Sequence, residues 1–171
     1  MPGGINCMQK LNWLNAFEIR PAVQGDGVKM AKQLRAKDRA ELAATHPGKD
    51  AGECLEKFRQ VSDVCLFVSY QNKPLLLAGI YRDSALISPA IVWLLTGKEV
   101  EKHPVCFVKM VRFFLSQWLA YYGALFNYVD ARYTAACKLV KKLGAQLEND
   151  GTYYAGNLFL KCIFRRNLWG E

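Results

Sequence analysis

The chain has 171 residues, of which 51% are hydrophobic and 12% aromatic, a composition that indicates a well-cored globular protein and excludes disorder over most of the length. Its 23 Lys and Arg residues exceed its 15 Asp and Glu residues, which gives a formal net charge of +8. This excess permits contact with nucleic acid, an acidic protein or a phosphorylated ligand, but it assigns neither a fold nor a reaction.

No internal repeat or low-complexity linker divides the sequence, so we predict an irregular extension over residues 1–15 and a single domain over residues 16–171. The N-terminal residues lack the pattern of a secretory signal. The six cysteines are far apart and several lie in apolar runs, which indicates reduced core thiols and no metal site. They are Cys7, Cys54, Cys65, Cys106, Cys137 and Cys162.

The first predicted elements are one strand and two helices. A short strand is predicted over residues 17–21 (FEIRP), ended by Pro21. A helix follows over residues 26–44, where charges recur at helical spacing after Asp26, a residue suited to cap a helix. The segment THPGKD breaks this helix, and residues 51–62 are predicted to form a second one.

Three strands are predicted next. Residues 64–70 (VCLFVSY) and 75–81 (LLLAGIY) form a hairpin, because Asn72 and Pro74 favour a tight turn between them. A further strand is expected within residues 85–97.

The most apolar stretch, residues 105–122, is about as long as a membrane span, but Lys109, Arg112 and Gln117 interrupt it. A Lys or Arg at the centre of a bilayer costs about 3 kcal/mol. These polar residues, with Ser116, share one helical stripe. We therefore predict a mostly buried helix with one wet edge and no membrane span.

The C-terminal part is predicted to contain a strand at residues 125–130, a helix at 134–144 ended by Gly144, and strands at 145–150 and 153–164. The complete order is β, α, α, β, β, β, α, β, α, β, β. It predicts an α/β fold, a mixed and mostly antiparallel central sheet with helices on both faces.

This order, the segment LFNYVDARYTAACKLVKKLGAQL and the opening FEIRPAVQGD together resemble the GNAT N-acetyltransferase fold. A closer resemblance, over roughly residues 16–164, is to small GNAT-like internal virion and morphogenesis proteins of short-tailed phages. It rests on IVWLLTGKEVEK, NYV and KKLGA, which occur in the same order and at similar spacing.

The resemblance to GNAT enzymes places the phosphates of coenzyme A at TGKEVEKHPVCF. Active members carry a Gln or Arg and two glycines there, so that backbone N–H groups at a helix start hold the pyrophosphate. In this chain Gly97 is the single glycine, and Glu99 and Glu101 would repel phosphate. Pro104 also removes a backbone donor.

If acetyl-CoA binding is retained, the resemblance assigns its contacts to Gly97, Lys98 and Lys102; otherwise this is a solvated charged loop and no cofactor is expected. Where active members often place a Tyr general acid, the matching residue is Val140, which cannot donate a proton. Tyr133 matches the common Asn and lies about two turns away. We therefore predict no catalytic residue.

The helix TAACKLVKKLG has a basic side, on which Lys138, Lys141 and Lys142 are the candidate partner-binding residues. If further basic residues converge with them, they could engage DNA phosphates in a salt-dependent way, the alternative being a solubilising surface. These further residues are Lys29, Lys32, Arg35, Lys37, Arg39, Arg165 and Arg166.

These patterns favour a catalytically degenerate GNAT-like phage protein that acts in virion assembly or as an internal virion component. Its expected partners are other virion or assembly proteins, and DNA bound through non-specific phosphate contacts. We expect it in the host cytoplasm during infection and in the virion interior. One alternative is an active N-acetyltransferase that uses acetyl-CoA on a host protein or small amine. Another is a basic DNA-binding accessory or host-defence antagonist. The predicted core consists of Trp93, Phe107, Met110, Phe114, Trp118, Leu139 and Phe159.

Overall fold

A computed structural model of the chain describes residues 16–82 and 89–166. The extension predicted at 1–15 and the first residues of the strand predicted at 85–97 lie outside the described residues. Helices and strands follow one another as β1 (Phe17–Pro21), α1 (Asp26–Gln33), α2 (Ala36–Thr45), α3 (Ala51–Val61), β2 (Val64–Tyr70), β3 (Lys73–Tyr81), β4 (Ala90–Thr96), a 3-10 helix (Lys98–Lys102), α4 (Pro104–Tyr122), β5 (Ala124–Asp130), α5 (Thr134–Lys142), β6 (Gln146–Tyr154) and β7 (Asn157–Arg165).

The strands form one sheet in the order β1-β2-β3-β4-β5-β7-β6. Neighbouring strands are antiparallel except β4 and β5, which α4 connects and which run parallel. The predicted mixed, mostly antiparallel sheet is therefore confirmed.

Helices cover both faces of the sheet, as predicted. Side chains alternate along a strand, so Val68 points to one face and Phe67 to the other. The core on the first face is formed with α4 and α5, and Met110 of α4 is fully buried in it. The core on the second face is formed with α1, α2 and α3, around Met30 and Leu55. Four of the predicted core residues are buried, namely Phe107, Met110, Phe114 and Phe159. The other three, Trp93, Trp118 and Leu139, are only half-buried.

The helix predicted over residues 26–44 is two helices, so that prediction is wrong in one respect. Leu34 and Arg35 are extended, with ψ of 138° and 153°. Leu34 forms a β-bridge with Gly97, and the Arg35 N–H donates to the Thr96 carbonyl at 3.2 Å. Pairing with the end of β4 outweighs the local helix propensity. The break lets α2 lie across the ends of β4 and β5.

The boundary between the last two strands also differs from the prediction. Tyr153 and Tyr154 belong to β6, and the hairpin turn is Ala155–Gly156, with φ of 47° and 78°. Two positive φ values are typical of a tight hairpin turn whose twist matches the strands. The pair Ala-Gly is a weaker turn signal than Asn-Gly, which explains the misplaced boundary.

The helix predicted at 105–122 is confirmed as α4, and its wet edge is present because Lys109, Arg112 and Gln117 are exposed. None of the described helices is long and apolar enough to cross a membrane. The five cysteines within the described residues are free thiols.

Candidate functional site

The sheet opens between β4 and β5. These strands pair only through Ala90 with Leu125 and Ile91 with Phe126, and beyond those two pairs they diverge. Each strand therefore keeps backbone groups that face the gap instead of a neighbouring strand. Such groups must find other partners or water.

An acidic side chain of α2 takes the donor at the end of β4. Asp38 is buried, and its Oδ1 accepts hydrogen bonds from the backbone N–H of Thr96 at 2.9 Å and from the Thr96 hydroxyl at 3.0 Å. Its Oδ2 accepts from Nε of Arg35 at 2.8 Å. This carboxylate is thus held by a backbone amide and a guanidinium together.

A second acidic side chain of α2 takes the donor at the end of β5. Oε1 of Glu41 accepts from the backbone N–H of Asp130 at 3.2 Å. One step back along β5, the N–H of Tyr128 donates to the side chain of Asn127 at 2.7 Å. The diverging ends of both strands are therefore occupied by the protein's own oxygen atoms.

Glu41 has an altered pKa. Burial raises the pKa of its carboxyl to about 7, the hydrogen bond from Asp130 opposes that rise, and the neighbouring charges of Asp38 and Asp130 add to it. Asp130 differs, because its hydrogen bonds from Arg132, the shortest 2.6 Å, hold the pKa of its carboxyl below the ordinary value. A carboxyl with a pKa near 7 can exchange a proton at neutral pH.

A cavity of about 930 Å³ lies beside the gap, between α2, α3 and the sheet. Two aromatic clusters face it. In the first, from α2, α3 and β4, the ring centroid of Phe58 lies 5.1 Å from that of His46 and 5.5 Å from that of Trp93. The second, from β5, β6 and β7, places the ring of Tyr154 6.4 Å from Tyr128 and 5.1 Å from Phe159.

Polar groups at this cavity include exposed charged side chains, those of Lys49, Asp50, Glu53 and Lys57. Glu41 lines it from α2, and the hydroxyl of Thr45 lies 2.9 Å from Nδ1 of His46. Burial, with the nearby charges of Lys49 and Lys57, lowers the pKa of His46, so its ring favours the neutral form. The cavity combines one partly buried carboxyl with aromatic walls.

Gly97, a predicted cofactor contact, is required by packing. Its N–H donates to the Leu75 carbonyl at 2.8 Å, and a Cβ at this position would lie 2.5 Å from the carbonyl oxygen of Pro74. No larger residue fits that approach without a shift. The glycine therefore seats the end of β4 against β3.

The predicted phosphate loop folds into a 3-10 helix. Lys102 forms an ion pair with Glu99 at 3.2 Å, and Nε2 of His103 lies 3.6 Å from the same carboxylate. Burial is the largest single influence and acts to raise the pKa of Glu99, but Lys102, Lys73 and His103 together lower it, so the net shift is downward. Lys98 is exposed. Coenzyme A contacts at these residues stay a prediction.

The start of α4 is a poor phosphate cradle. Pro104 is its first residue and has no N–H, and the ring of His103 packs against Phe17 and Tyr70, with centroids 5.5 Å and 4.2 Å away. His103 is the residue immediately before α4. The helix start therefore offers one backbone donor fewer to a bound pyrophosphate.

The two positions examined for a general acid lie apart. Val140 packs half-buried against the core on the α4 face. Tyr133 precedes α5, and its ring lies 5.9 Å from Nζ of Lys37 and 5.7 Å from the guanidinium of Arg132. The side chains of Val140 and Tyr133 therefore have different surroundings.

The candidate partner-binding residues Lys138, Lys141 and Lys142 are exposed on α5, as predicted. Arg112 of α4 donates to the Lys142 carbonyl at 3.2 Å, so a basic residue of α4 adjoins them. Their binding of a partner stays a prediction. The basic residues of α1 belong to the opposite face, where Lys29 contacts Asp26 at 3.7 Å.

Asp38 and Glu41 were not predicted from the sequence as site residues. They lie three residues apart, which places both on one face of a helix, next to the buried Leu42. Two acids beside an apolar helix position were a usable signal. Their role could not be foreseen because it depends on α2 lying over the sheet opening.

No protein-family profile and no curated protein matches the sequence. Solved structures do match. A ribosomal-protein-S5-alanine acetyltransferase from Vibrio fischeri has a TM-score of 0.63 at 14% identity, over 91% of this chain and 96% of that one. A spermidine N-acetyltransferase from Vibrio cholerae, solved with CoA and spermine, has a TM-score of 0.65 at 11% identity, over 92% and 99%.

A third structure, of a protein from Desulfovibrio desulfuricans described as belonging to the GNAT family, has a TM-score of 0.64 at 10% identity, over 88% of this chain and 99% of that one. At such identities the likeness establishes the fold alone. The chain has a GNAT-like α/β fold, as expected from its element order.

Proposed function

We propose that this chain is a GNAT-fold binding protein without acetyl transfer, which acts in the assembly or interior of a short-tailed phage particle by contacts with other virion proteins. The particle role is supported by the sequence resemblance to internal virion and morphogenesis proteins. The absence of acetyl transfer is supported by one observation above all: two carboxylates of α2 already accept hydrogen bonds from the backbone at the diverging ends of β4 and β5.

A ligand arm entering that gap along the strands would need the inward backbone donors. Asp38 and Glu41 already accept from Thr96 and Asp130. Displacing them would leave partly buried carboxylates without their hydrogen bonds, at a cost of about 1 to 3 kcal/mol each. These two backbone donors are therefore not free to bind a ligand.

The loop after β4 adds a second obstacle for a phosphorylated cofactor. Glu99 and Glu101 bring negative charge to this loop, and Lys102 is paired with Glu99. A helix N-terminus attracts phosphate when its first N–H groups are available, and Pro104 removes one of them. Both features weaken the attraction of coenzyme A.

A second candidate is an N-acetyltransferase that uses acetyl-CoA on an amine of a host protein or a small molecule. It is favoured by the structural likeness to acetyltransferases and by Glu41, whose pKa near 7 suits a general base. Glu41 would take the proton of an acceptor ammonium. The loop after β4 remains the weak part of this candidate.

Calorimetry with acetyl-CoA separates the two candidates. We expect no binding with a Kd tighter than about 1 mM; a Kd at or below about 10 μM, roughly −7 kcal/mol, would favour the enzyme and overturn the absence of acetyl transfer. In that case the double change Lys98→Glu and Lys102→Glu should abolish binding. Lys138→Glu, on a different helix, is the matched control.

The particle role has its own test. Mass spectrometry of purified particles and of infected-cell lysate should find the chain in particles or in assembly intermediates. Finding it only as a free protein in the lysate would contradict that role.

A further inference from the structure

We propose that α2 is a strap across the opening between β4 and β5, bound to β4 by Asp38 and to β5 by Glu41, and that its Glu41 end releases when Glu41 loses its proton. This goes beyond the proposed function, because it concerns what holds the two strand ends and not what the chain binds. It holds whether or not acetyl-CoA binds at the loop after β4.

The strap joins two strands at the ends where they have separated. β4 and β5 pair through two residue pairs near their starts. Their last residues, Thr96 and Asp130, are the ones whose backbone N–H groups donate to the acids of α2. Asp38 and Glu41 lie three residues apart, on one face of the helix. One helix face therefore connects the strands where they do not pair with each other.

The β4 end of the strap is held by several groups together. Oδ1 of Asp38 accepts from the N–H and the hydroxyl of Thr96, and Oδ2 accepts from Nε of Arg35. The backbone adds to these contacts, because the Arg35 N–H donates to the Thr96 carbonyl and Leu34 forms a β-bridge with Gly97. Loss of any one of these contacts leaves the others in place.

The β5 end of the strap is held less firmly. Oε1 of Glu41 accepts from the Asp130 N–H at 3.2 Å, the long end of the usual range for such a bond. The Asp130 side chain contacts Arg132 and not α2. The hydrogen bond to Glu41 can therefore break while the contacts at the β4 end persist.

The charges around Glu41 oppose its ionisation while the strap is closed. Its carboxyl is partly buried and lies near those of Asp38 and Asp130. Arg35 contacts Asp38 at 2.8 Å and Arg132 contacts Asp130 at 2.6 Å, so both guanidiniums are engaged by the other two acids. Ionised Glu41 is a third negative charge beside two formed ion pairs, which disfavours the closed position.

Other titratable groups near Glu41 do not offset this charge. Lys37, one turn earlier on α2, has its Nζ 5.9 Å from the ring of Tyr133. Cys137 of α5 and Cys162 of β7 are also near Glu41. Burial raises the pKa of both thiols, that of Cys162 to about 12, so both stay neutral at neutral pH.

The cavity side of α2 adds one further titratable group. Burial and the charges of two nearby lysines lower the pKa of His46, which follows α2. The exposed charged side chains that line the same cavity are two of each sign, namely Lys49, Asp50, Glu53 and Lys57. Solvent and salt screen exposed charges. A comparison with Glu41→Gln removes the contribution of His46, because both proteins contain it.

Release of Glu41 is linked to loss of its proton. In the closed position burial raises the pKa of its carboxyl from 4.5 to about 7, whereas a released side chain in water has the ordinary value. Between these values the closed form binds more protons, so each unit rise in pH favours release by up to about tenfold. Above pH 7 the effect is constant. The strap is therefore closed most firmly in mild acid.

Amide hydrogen exchange followed by NMR tests this. The protection factor, the ratio of intrinsic to observed exchange rate, removes the intrinsic effect of pH. From pH 5 to pH 7.5 we expect the protection of the Asp130 amide to fall by about tenfold or more in the parent and in Glu53→Gln, a control at the cavity rim. In Glu41→Gln, which keeps an oxygen for this amide and does not titrate, the fall should stay below about threefold. The Thr96 amide should also change by less than about threefold in the parent.

The fully buried Leu125 in the middle of the sheet reports global unfolding. At pH 7.5 the Asp130 amide of the parent should exchange about tenfold faster than the Leu125 amide, because release of the strap is local. Equal exchange of these two amides would overturn the proposal, as would Asp130 protection that does not change with pH or that falls equally in Glu41→Gln. If Glu41→Gln does not fold, the comparison of Asp130, Thr96 and Leu125 within the parent decides. Acetyl-CoA binding would contradict the proposed function without changing these rates in the ligand-free protein.

Discussion

Asp38 and Glu41 have similar side chains, lie one helical turn apart and perform the same structural task, yet their electrostatic surroundings differ. Asp38 contacts the guanidinium of Arg35 as well as the Thr96 N–H. Glu41 contacts the Asp130 N–H and is near two other carboxylates. Burial is the main cause of the raised pKa of Glu41, and the charges of the two neighbouring carboxylates add to it.

This difference predicts a pH dependence of stability. The pKa of Glu41 rises from an ordinary 4.5 to about 7 on folding, so between these values the folded protein binds more protons than the unfolded chain. The contribution of Glu41 to the free energy of unfolding must then fall as pH rises from about 4.5 to 7 and stay low above it. We expect the parent to lose on the order of 2 kcal/mol more than Glu41→Gln between pH 5 and pH 8, a value reduced for partial solvent screening.

Urea unfolding of both proteins at the two pH values measures this effect. Other groups titrate in the same range, so the informative quantity is the difference between the two proteins. Glu53→Gln should behave as the parent does. An equal pH dependence in the parent and in Glu41→Gln would contradict the raised pKa.

At the scale of elements, α4 connects the two parallel strands and supplies six buried residues to the core on its face. Phe114 is buried near its middle, with its ring 5.7 Å from that of Trp118, which is half-buried. Tyr121, near the end of the same helix, is 67% exposed. The helix thus offers a buried aromatic residue and an exposed control in one element.

Phe114→Ala should lower the free energy of unfolding by about 3 to 5 kcal/mol, because it removes buried ring surface and leaves a cavity. Trp118→Ala should cost less, since that ring keeps part of its surface in water. Tyr121→Ala should stay within about 0.5 kcal/mol of the parent. Thermal melts of the three variants check this order, and a Phe114→Ala variant as stable as Tyr121→Ala would show that α4 does not pack as described.

Most elements could be predicted because their signals are local. The apolar run of α4, the Gly144 that follows α5, and the alternation in VCLFVSY each report on neighbours within a few residues. The break between α1 and α2 has no such signal. It depends on Leu34 pairing with Gly97, a residue that local pattern cannot connect to it.

The site was hidden for the same reason. Asp38 meets Thr96 across 58 positions of sequence, and Glu41 meets Asp130 across 89. The loop after β4, in contrast, could be interpreted from the sequence, because its single glycine and its two glutamates lie within a few residues of one another. Local motifs reveal which residues a loop lacks, but only the folded arrangement reveals which side chains reach the ends of β4 and β5.

For the whole molecule, the basic residues divide between the two faces of the sheet. Neither α4 nor α5 contains an Asp or Glu, and α5 exposes Lys138, Lys141 and Lys142. The opposite face carries acids among its bases, including Asp26 and Asp38. The α5 face is therefore the better candidate for contact with DNA or an acidic partner.

Changing Lys138, Lys141 and Lys142 together to Glu should abolish such binding while leaving thermal stability nearly unchanged, because exposed lysines contribute little to folding. For each phosphate contact, the logarithm of the association constant of the parent for duplex DNA should fall by about 0.9 for a tenfold rise in salt concentration. The matched control changes Lys32, Lys49 and Lys73 to Glu, which alters the net charge equally at other exposed positions. Binding that does not depend on salt, or that the Lys138, Lys141 and Lys142 triple variant retains, would show that these lysines only solubilise the surface.

The narrow junction of β4 and β5 has a mechanical consequence. Two residue pairs join a sheet half made of β1 to β4 to another made of β5 to β7. Each half bears one of the aromatic clusters that face the cavity. A molecule bound in the cavity would contact both halves at once and act as a reversible cross-link between them. Occupancy of the cavity would then increase the rigidity of the junction between β4 and β5.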